Sequence, residues 1–447
     1  MTRILIIFLL LSGVSLQAQD KKSFSLEEAV TYALDNNSTA INARRDIAKA
    51  IKQKWETTAS GLPQISGTID YQNQLKQPTS FIPSEFFGGE AGTFTPVVFG
   101  TAQNVSATAT LTQLIFDGSY LVGLKAAKAF LDFSENSNEK TQLEIRKGVI
   151  NAYGSVLITQ ENIAILDSNI ATVKKNLDET RIIFENGLAE EEDVEQLQIT
   201  YSQLLNQRTN ATRLEDIAIQ MFNLAVGVDI ETETQFTDTL TSLAKPGLGL
   251  IQDSPEIQKN VDYKIAQNLT EQRSLELKLE RSKALPSLRG FINVGTSAGR
   301  NTFDFFDSEQ RYFASSILGF TLDVPLFSSG ARGARTQRAK IALEQAETDF
   351  EYAQEQIRLA YERAKSEHEL AIDNLKVSRD NLSLAERIEQ KNQIKFREGL
   401  STSFELRQAQ TQLYTAQNTM LQAMLDMINS KAELETVLNT PDYRNKK

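Results

Sequence analysis

Four stretches of this chain alternate apolar and polar residues with a period of two, and they come in two pairs. Ile65, Gly67, Ile69 and Tyr71 alternate with Ser66, Thr68, Asp70 and Gln72; Val105, Ala107, Ala109 and Leu111 alternate with Ser106, Thr108, Thr110 and Thr112. Later, Leu288, Gly290, Ile292 and Val294 alternate with Arg289, Phe291 and Asn293, and Leu318, Phe320, Leu322 and Val324 with Ile317, Gly319, Thr321 and Asp323. Alternation is the strand signature. Each pair therefore predicts a hairpin of two strands of about 12–15 residues, long against the usual 5–6. One face is apolar and the other polar, which suits the wall of a transmembrane barrel. A soluble hairpin packed on a core has the same pattern. The intervening Gln77–Thr101 and Ala298–Arg311, rich in Gly, Ser, Thr or Phe, read as loops.

The pairing extends to the whole chain, which is an internal duplication. Leu62–Gly67 (LPQISG) returns as Leu285–Gly290 (LPSLRG), Ile115–Ser119 as Leu326–Gly330, and Phe184–Leu188 (FENGL) as Phe396–Leu400 (FREGL). After each hairpin the period changes to the helical one. Gly118 to Glu185 contains no proline, which permits a helix of about 100 Å. Ile145, Val149, Ala152, Val156, Ile163, Leu166, Ile170, Val173 and Leu177 follow 4-3 spacing. In the second copy Ile357, Tyr361, Ala364, His368, Ala371, Leu375, Ser378, Leu382 and Ala385 do the same. A sustained heptad predicts coiled-coil packing, with His368 as a packed seam residue. Beyond each Gly-Leu element the helical pattern resumes over Glu191–Ala225 and Thr402–Leu438, so each element is the turn of a helical hairpin.

These signals divide the chain into a leader at 1–18, a first repeat at 19–229, a linker at 230–254, a second repeat at 255–440 and a loose tail at 441–447. Arg3, an apolar run from Ile4 to Leu11 and Ala18 before Gln19 have the form of a secretory signal. No stretch approaches the roughly 20 apolar residues of a spanning helix. The net charge of −11 argues against nucleic acid as a partner. With no cysteine and one histidine, the chain cannot build disulfides or thiolate metal sites, and neither metal nor cofactor is expected. HExxH and Walker A motifs are absent, and Gly295–Gly299 lacks a strand–helix context, so an enzyme is not expected.

Two hairpins supply four strands, and an open four-stranded sheet in lipid leaves unpaired backbone groups at its edges, each costing several kcal/mol. The smallest membrane barrels have about eight strands. If the sheet spans a membrane, several copies must close it.

The chain resembles the TolC family of outer-membrane efflux and secretion channels. The resemblance rests on Ser25–Val30 (SLEEAV), the two Leu-Pro strand starts, Phe116-Asp117-Gly118, Pro325-Leu326-Phe327, and the Gly-Leu elements followed by Asp193–Gln198 and Glu405–Gln410. It covers nearly the whole mature chain. It implies an α+β membrane protein in the outer membrane: a homotrimer whose 12 strands form one barrel, continued by a coiled-coil helical barrel through the periplasm. It also implies docking to a periplasmic adaptor that belongs to an inner-membrane pump, making the chain the exit duct of a tripartite efflux pump or type I secretion system.

Carried over by position, Gly187, Leu188, Gly399 and Leu400 are adaptor contacts, though each glycine also suits a tight turn. Asp193 and Glu405, with Gln196 and Gln408 one turn further, map to a periplasmic gate. Asp70, Thr108, Asn293 and Asp323 are the lumen-lining candidates. The extra acids Glu190, Glu191 and Glu192 occur in the first copy alone and suit either a site or a solvated helix face. Where the family often has Pro before Leu-Phe, the first copy has Gln113-Leu114-Ile115-Phe116, so the two strand-to-helix turns are expected to differ. The competing reading is a soluble periplasmic coiled-coil adaptor or chaperone with its hairpins in a small β-domain.

Overall fold

The computed structural model describes residues 22–246, 250–251, 256–307 and 311–439. The leader and the tail lie outside them. The described residues fall into two compact units, each drawing segments from both halves of the sequence.

One unit, residues 48–132 and 268–348, holds the sheet. Its strands are β2 (Gln64–Asn73), β5 (Gln103–Asp117), β7 (Ser287–Arg300) and β8 (Phe313–Asp323), paired in the order β2-β5-β7-β8 and antiparallel throughout. β2 and β8 are therefore both edges. Because side chains alternate across a strand and paired residues share a face, the register fixes two surfaces. One row runs Ile65–Leu111–Ile292–Leu318, and another pairs Gly290 with Phe320. Neighbouring rows, such as Ser66–Thr110–Asn293–Ile317, lie on the opposite face. Much of the apolar surface is bare: Ile69 is 79% exposed, and Leu318 and Phe320 are 67% exposed.

Two details depart from the sequence reading. Gln77–Thr101 is not a plain loop: Thr79–Pro83 (β3) and Phe94–Val98 (β4) pair antiparallel as a second hairpin. A bulge at Ile115 lets Phe116 pair with Leu288 and Asp117 with Ser287, which turns Asp117 onto the polar face opposite its expected parity. There the Asp117 carboxylate accepts the N–H groups of Ser119 and Tyr120, at 2.7 and 3.2 Å. These contacts cap helix α3 (Gly118–Glu185), which follows the strand without a loop. In the second copy seven residues, Val324–Gly330, separate β8 from the next long helix, so the two junctions do differ.

In the other unit, β1 (Lys22–Phe24) pairs in parallel with β6 (Thr234–Phe236). The rings of Phe24, Tyr153, Phe222 and Phe236 pack edge to face, with centroids 4.9–6.0 Å apart. The expected linker 230–254 is thus partly structural. Its β6 and a one-turn helix, Leu240–Leu243, enter the core, with Leu240 buried. Burial pushes the Tyr153 hydroxyl up to about 12. It stays protonated and donates to the Phe24 carbonyl at 2.9 Å; Asp238 Oδ2, 3.2 Å away, also accepts the Leu26 N–H at 2.8 Å. Tyr153→Phe leaves the Phe24 carbonyl with the Thr237 N–H alone, at 3.1 Å, and should destabilise the unit by about 0.5–1.5 kcal/mol, read as a lower midpoint in thermal unfolding followed by circular dichroism.

The part of α3 from residue 133, α4 (Glu191–Val226), the part of α7 (Ala331–Arg397) from residue 349, and α8 (Ser403–Leu438) also belong to this unit. Val149, Val156, Leu166, Val173 and Leu177 of the predicted seam are buried on α3, as are Tyr361, Ala364, His368, Ala371, Leu375 and Ser378 on α7. His368 Nδ1 lies 3.1 Å from Ser430 Oγ, the packed role expected of it. Arg208 to Asp167 (3.1 Å) joins α4 to α3, and Asn169 to Gln417 (2.9 Å) joins α3 to α8. Ala371, Leu375, Met420 and Met427 join α7 to α8. The order is α4-α3-α8-α7. Among the described residues no helix is long and apolar enough to cross a membrane.

Candidate functional site: hairpin tips and the polar strand face

Both Gly-Leu elements end a long helix in the same way. At the first, the Gly187 N–H donates to the Phe184 carbonyl (2.8 Å) and the Leu188 N–H to Ile183 (3.0 Å). At the second, Gly399 donates to Phe396 (3.0 Å) and Leu400 to Lys395 (2.8 Å). This is the Schellman pattern, which requires a left-handed residue at the turn. Gly187 and Gly399 have φ of 75° and 72°, and nothing would touch a Cβ on either, so backbone conformation rather than space selects glycine. Leu188 and Leu400 are left exposed at the two tips.

The acids five residues past each Leu have a local role that the sequence reading did not assign. Thr402 caps α8: its Oγ1 accepts the Glu405 N–H at 3.3 Å, while Glu405 Oε2 accepts the Thr402 N–H at 3.2 Å and the Ser401 hydroxyl at 2.7 Å. The Ser401 hydroxyl, then the Thr402 N–H, hold the Glu405 carboxyl below its ordinary value. Asp193 Oδ2 makes the equivalent, longer contact to the Glu190 N–H at 3.4 Å. Both residues occupy the third helical position, the place an acid takes in a capping box. Glu191 and Glu192 join Asp193 in the first turn of α4, where the helix dipole favours negative charge.

Gln196 donates to Glu192 Oε1 at 2.8 Å. Gln408 is exposed along a groove of about 960 Å³ between α7 and α8, which Leu384, Ile388, Phe404 and Arg407 also line. The Arg407 guanidinium lies 5.5 Å from the centre of the Phe404 ring. This groove was not anticipated. Its signal was a second apolar spacing on α7, Leu384 and Ile388, outside the seam. Asp193 and Glu405 are each held at the start of their own helix.

The four lumen candidates share one face of the sheet. Asp70 pairs with Ser106, Thr108 with Thr68, Asn293 with Thr110, and Asp323 with Ser287, all on the polar surface. Their four strands present an acid, a hydroxyl, an amide and an acid to one side, against Ile69, Ala107, Ile292 and Leu322 on the other.

A family model described as outer membrane efflux protein matches residues 30–227 and 257–440. The outer membrane protein TolC of Vibrio cholerae is 24% identical over 427 residues, covering 93% of this chain and 91% of that protein. The alkaline protease secretion protein AprF of Pseudomonas aeruginosa is 22% identical over 353 residues, covering 73% and 68%. Among solved structures, the outer membrane protein VceC of Vibrio cholerae aligns with a TM-score of 0.73 at 15% identity, covering 92% of this chain and 95% of that one. The outer membrane channel CmeC of Campylobacter jejuni aligns with a TM-score of 0.73 at 15% identity, covering 94% and 88%. These likenesses show a shared fold.

Proposed function

Because this chain belongs to the outer membrane efflux protein family and is an outer-membrane exit duct for efflux or secretion, we propose that three copies close its sheet into one 12-stranded barrel. The carrying observation is the open antiparallel sheet with one bare apolar face and two edges, β2 and β8. With four alternating strands per chain, β8 of one copy meets β2 of the next antiparallel, so closure satisfies every edge group. The outer helices support the same assembly. Leu214, Ile217, Met221 and Leu224 on α4, and Leu359, Leu370, Val377 and Leu384 on α7, form exposed stripes at helical spacing. A neighbouring copy covers them. A soluble adaptor or chaperone has no use for the apolar sheet face.

In this reading the leader 1–18 directs export, and 230–254 joins the repeats 19–229 and 255–440. Asp70, Thr108, Asn293 and Asp323 line the lumen. Asp193 and Glu405, with Gln196 and Gln408, narrow the periplasmic mouth until a periplasmic adaptor engages the tips at Gly187, Leu188, Gly399 and Leu400. That adaptor couples the duct to an inner-membrane pump. The full-length protein should run as an SDS-resistant trimer before boiling and conduct ions in planar bilayers. A monomer at every protein concentration, with no conductance, overturns the assembly.

A further inference from the structure

The chain carries a net −11, yet Val324–Leu343 contains Arg332, Arg335, Arg338 and Lys340 and no acid. The segment begins where β8 ends. Leu326 and Phe327 are each 87% exposed. The first turn of α7 follows, where the Arg332 guanidinium donates to the Pro325 carbonyl (2.6 Å) and to Ser328 Oγ (3.2 Å). Arg335 and Arg338 are exposed and form no ion pair among the described residues.

The same end of the sheet receives helix α2 (Ser38–Ala59), which leads into β2. One turn before its end stands Trp55, the only tryptophan of the chain, 62% exposed and flanked by the exposed cations Lys52 and Lys54. Lys125 and Lys128 are exposed on the opening turns of α3, where β5 ends. The register puts these junctions at one end, since Asp117, Ser287 and Asp323 pair across β5, β7 and β8.

We propose that this end of the sheet is an anionic-phospholipid collar, in which Trp55, Leu326 and Phe327 enter the headgroup layer and Lys52, Lys54, Arg332, Arg335 and Arg338 hold lipid phosphates. Two observations select this occupant. The collar continues the bare apolar face, since Leu318, Phe320 and Leu322 run on through Val324 to Leu326. Its composition, aromatic residues beside unpaired cations, is that of a membrane–water interface facing an anionic leaflet. The chain has no cysteine to carry an acyl anchor, which leaves the sheet and collar to hold it in place. The collar rests on the barrel-wall reading and lies on its helix side, facing the periplasmic leaflet.

The single tryptophan makes the test direct. The full-length protein is reconstituted into phosphatidylcholine–phosphatidylglycerol vesicles with bromine on one lipid or the other at equal mole fraction. Trp55 fluorescence should be quenched about twofold more by brominated phosphatidylglycerol. The preference should fall away at 0.5 M salt, an added concentration of the order that shortens screening to a few ångströms. It should also fall away in R332Q/R335Q/R338Q, and independently in K52Q/K54Q, with both variants still conducting. Equal quenching by the two lipids overturns the proposal. So does an unchanged preference in the triple variant accompanied by a shifted reversal potential, which would put the arginines in the lumen. A protein that inserts and conducts while Trp55 is quenched by neither lipid overturns the collar alone. One that inserts into no vesicle overturns the barrel wall with it.

Discussion

Ile69→Arg should abolish the outer-membrane trimer, whereas Asp70→Arg, the next residue along the same strand, should leave it assembled. The two side chains leave β2 on opposite faces, midway along its length. Ile69 shares the bare apolar surface with Ala107, its partner on β5; Asp70 shares the polar one with Ser106. An arginine on the lipid side of a barrel near the bilayer midplane costs about 2–4 kcal/mol, and threefold symmetry places one in every copy. On the lumen side the same arginine meets water and changes only the charge of the pore. The measurement is the fraction of unboiled protein migrating as trimer in the outer-membrane fraction, with reversal potential for the variant that assembles. Ile69→Arg should yield almost no trimer. Asp70→Arg should yield wild-type amounts with weakened cation preference. Equal assembly of both variants would mean that the apolar face does not meet lipid.

That contrast was legible because a period of two is a backbone property, and a strand between two environments must write both into alternate residues. The long helices were legible for a similar reason. No proline interrupts Gly118–Glu185, and the 4-3 spacing of Val149, Val156, Val173 and Leu177 persists wherever a partner helix buries it. What stayed hidden depended on partners distant in sequence, or on short elements. β6 has three residues and exists through pairing with β1, some two hundred positions earlier. The β3–β4 hairpin is masked by Pro83 and Pro96, which remove backbone donors from short strands. The bulge at Ile115 leaves no mark in an apolar run, yet it turns Asp117 to the face where it caps α3. At the tips the difficulty was competition between meanings. Thr402-Ser403-Phe404-Glu405 is a readable capping box, and the same Glu405 occupies the position the family resemblance assigns to a gate.

Separating those meanings is the purpose of the second variant pair, Asp193→Asn with Glu405→Gln, which should raise single-channel conductance about twofold or more while leaving the tips folded. In the proposed trimer six carboxylates approach one axis and bind cations tightly enough in the constriction to slow their exit, which limits the current. The amides remove the charge but keep an oxygen to accept the N–H of Glu190 and of Thr402, so the caps survive. Asp193→Ala with Glu405→Ala removes charge and cap together and frays the first turns of α4 and α8 as well. If only the alanine pair raises conductance, the acids act as helix caps and the gate assignment falls; if the amide pair raises it with cation preference reduced, charge at the mouth is the cause. Acid gives an independent reading. The Glu405 pKa is lowered in the folded tip, so its negative charge persists below the ordinary value of 4.5 and is lost only as pH falls through the lower folded value. Conductance should therefore hold steady from neutral pH down through the usual glutamate range and rise below it. A rise centred above 4.5 would mean that repulsion within the ring outweighs the cap contacts that lower Glu405 in the single chain.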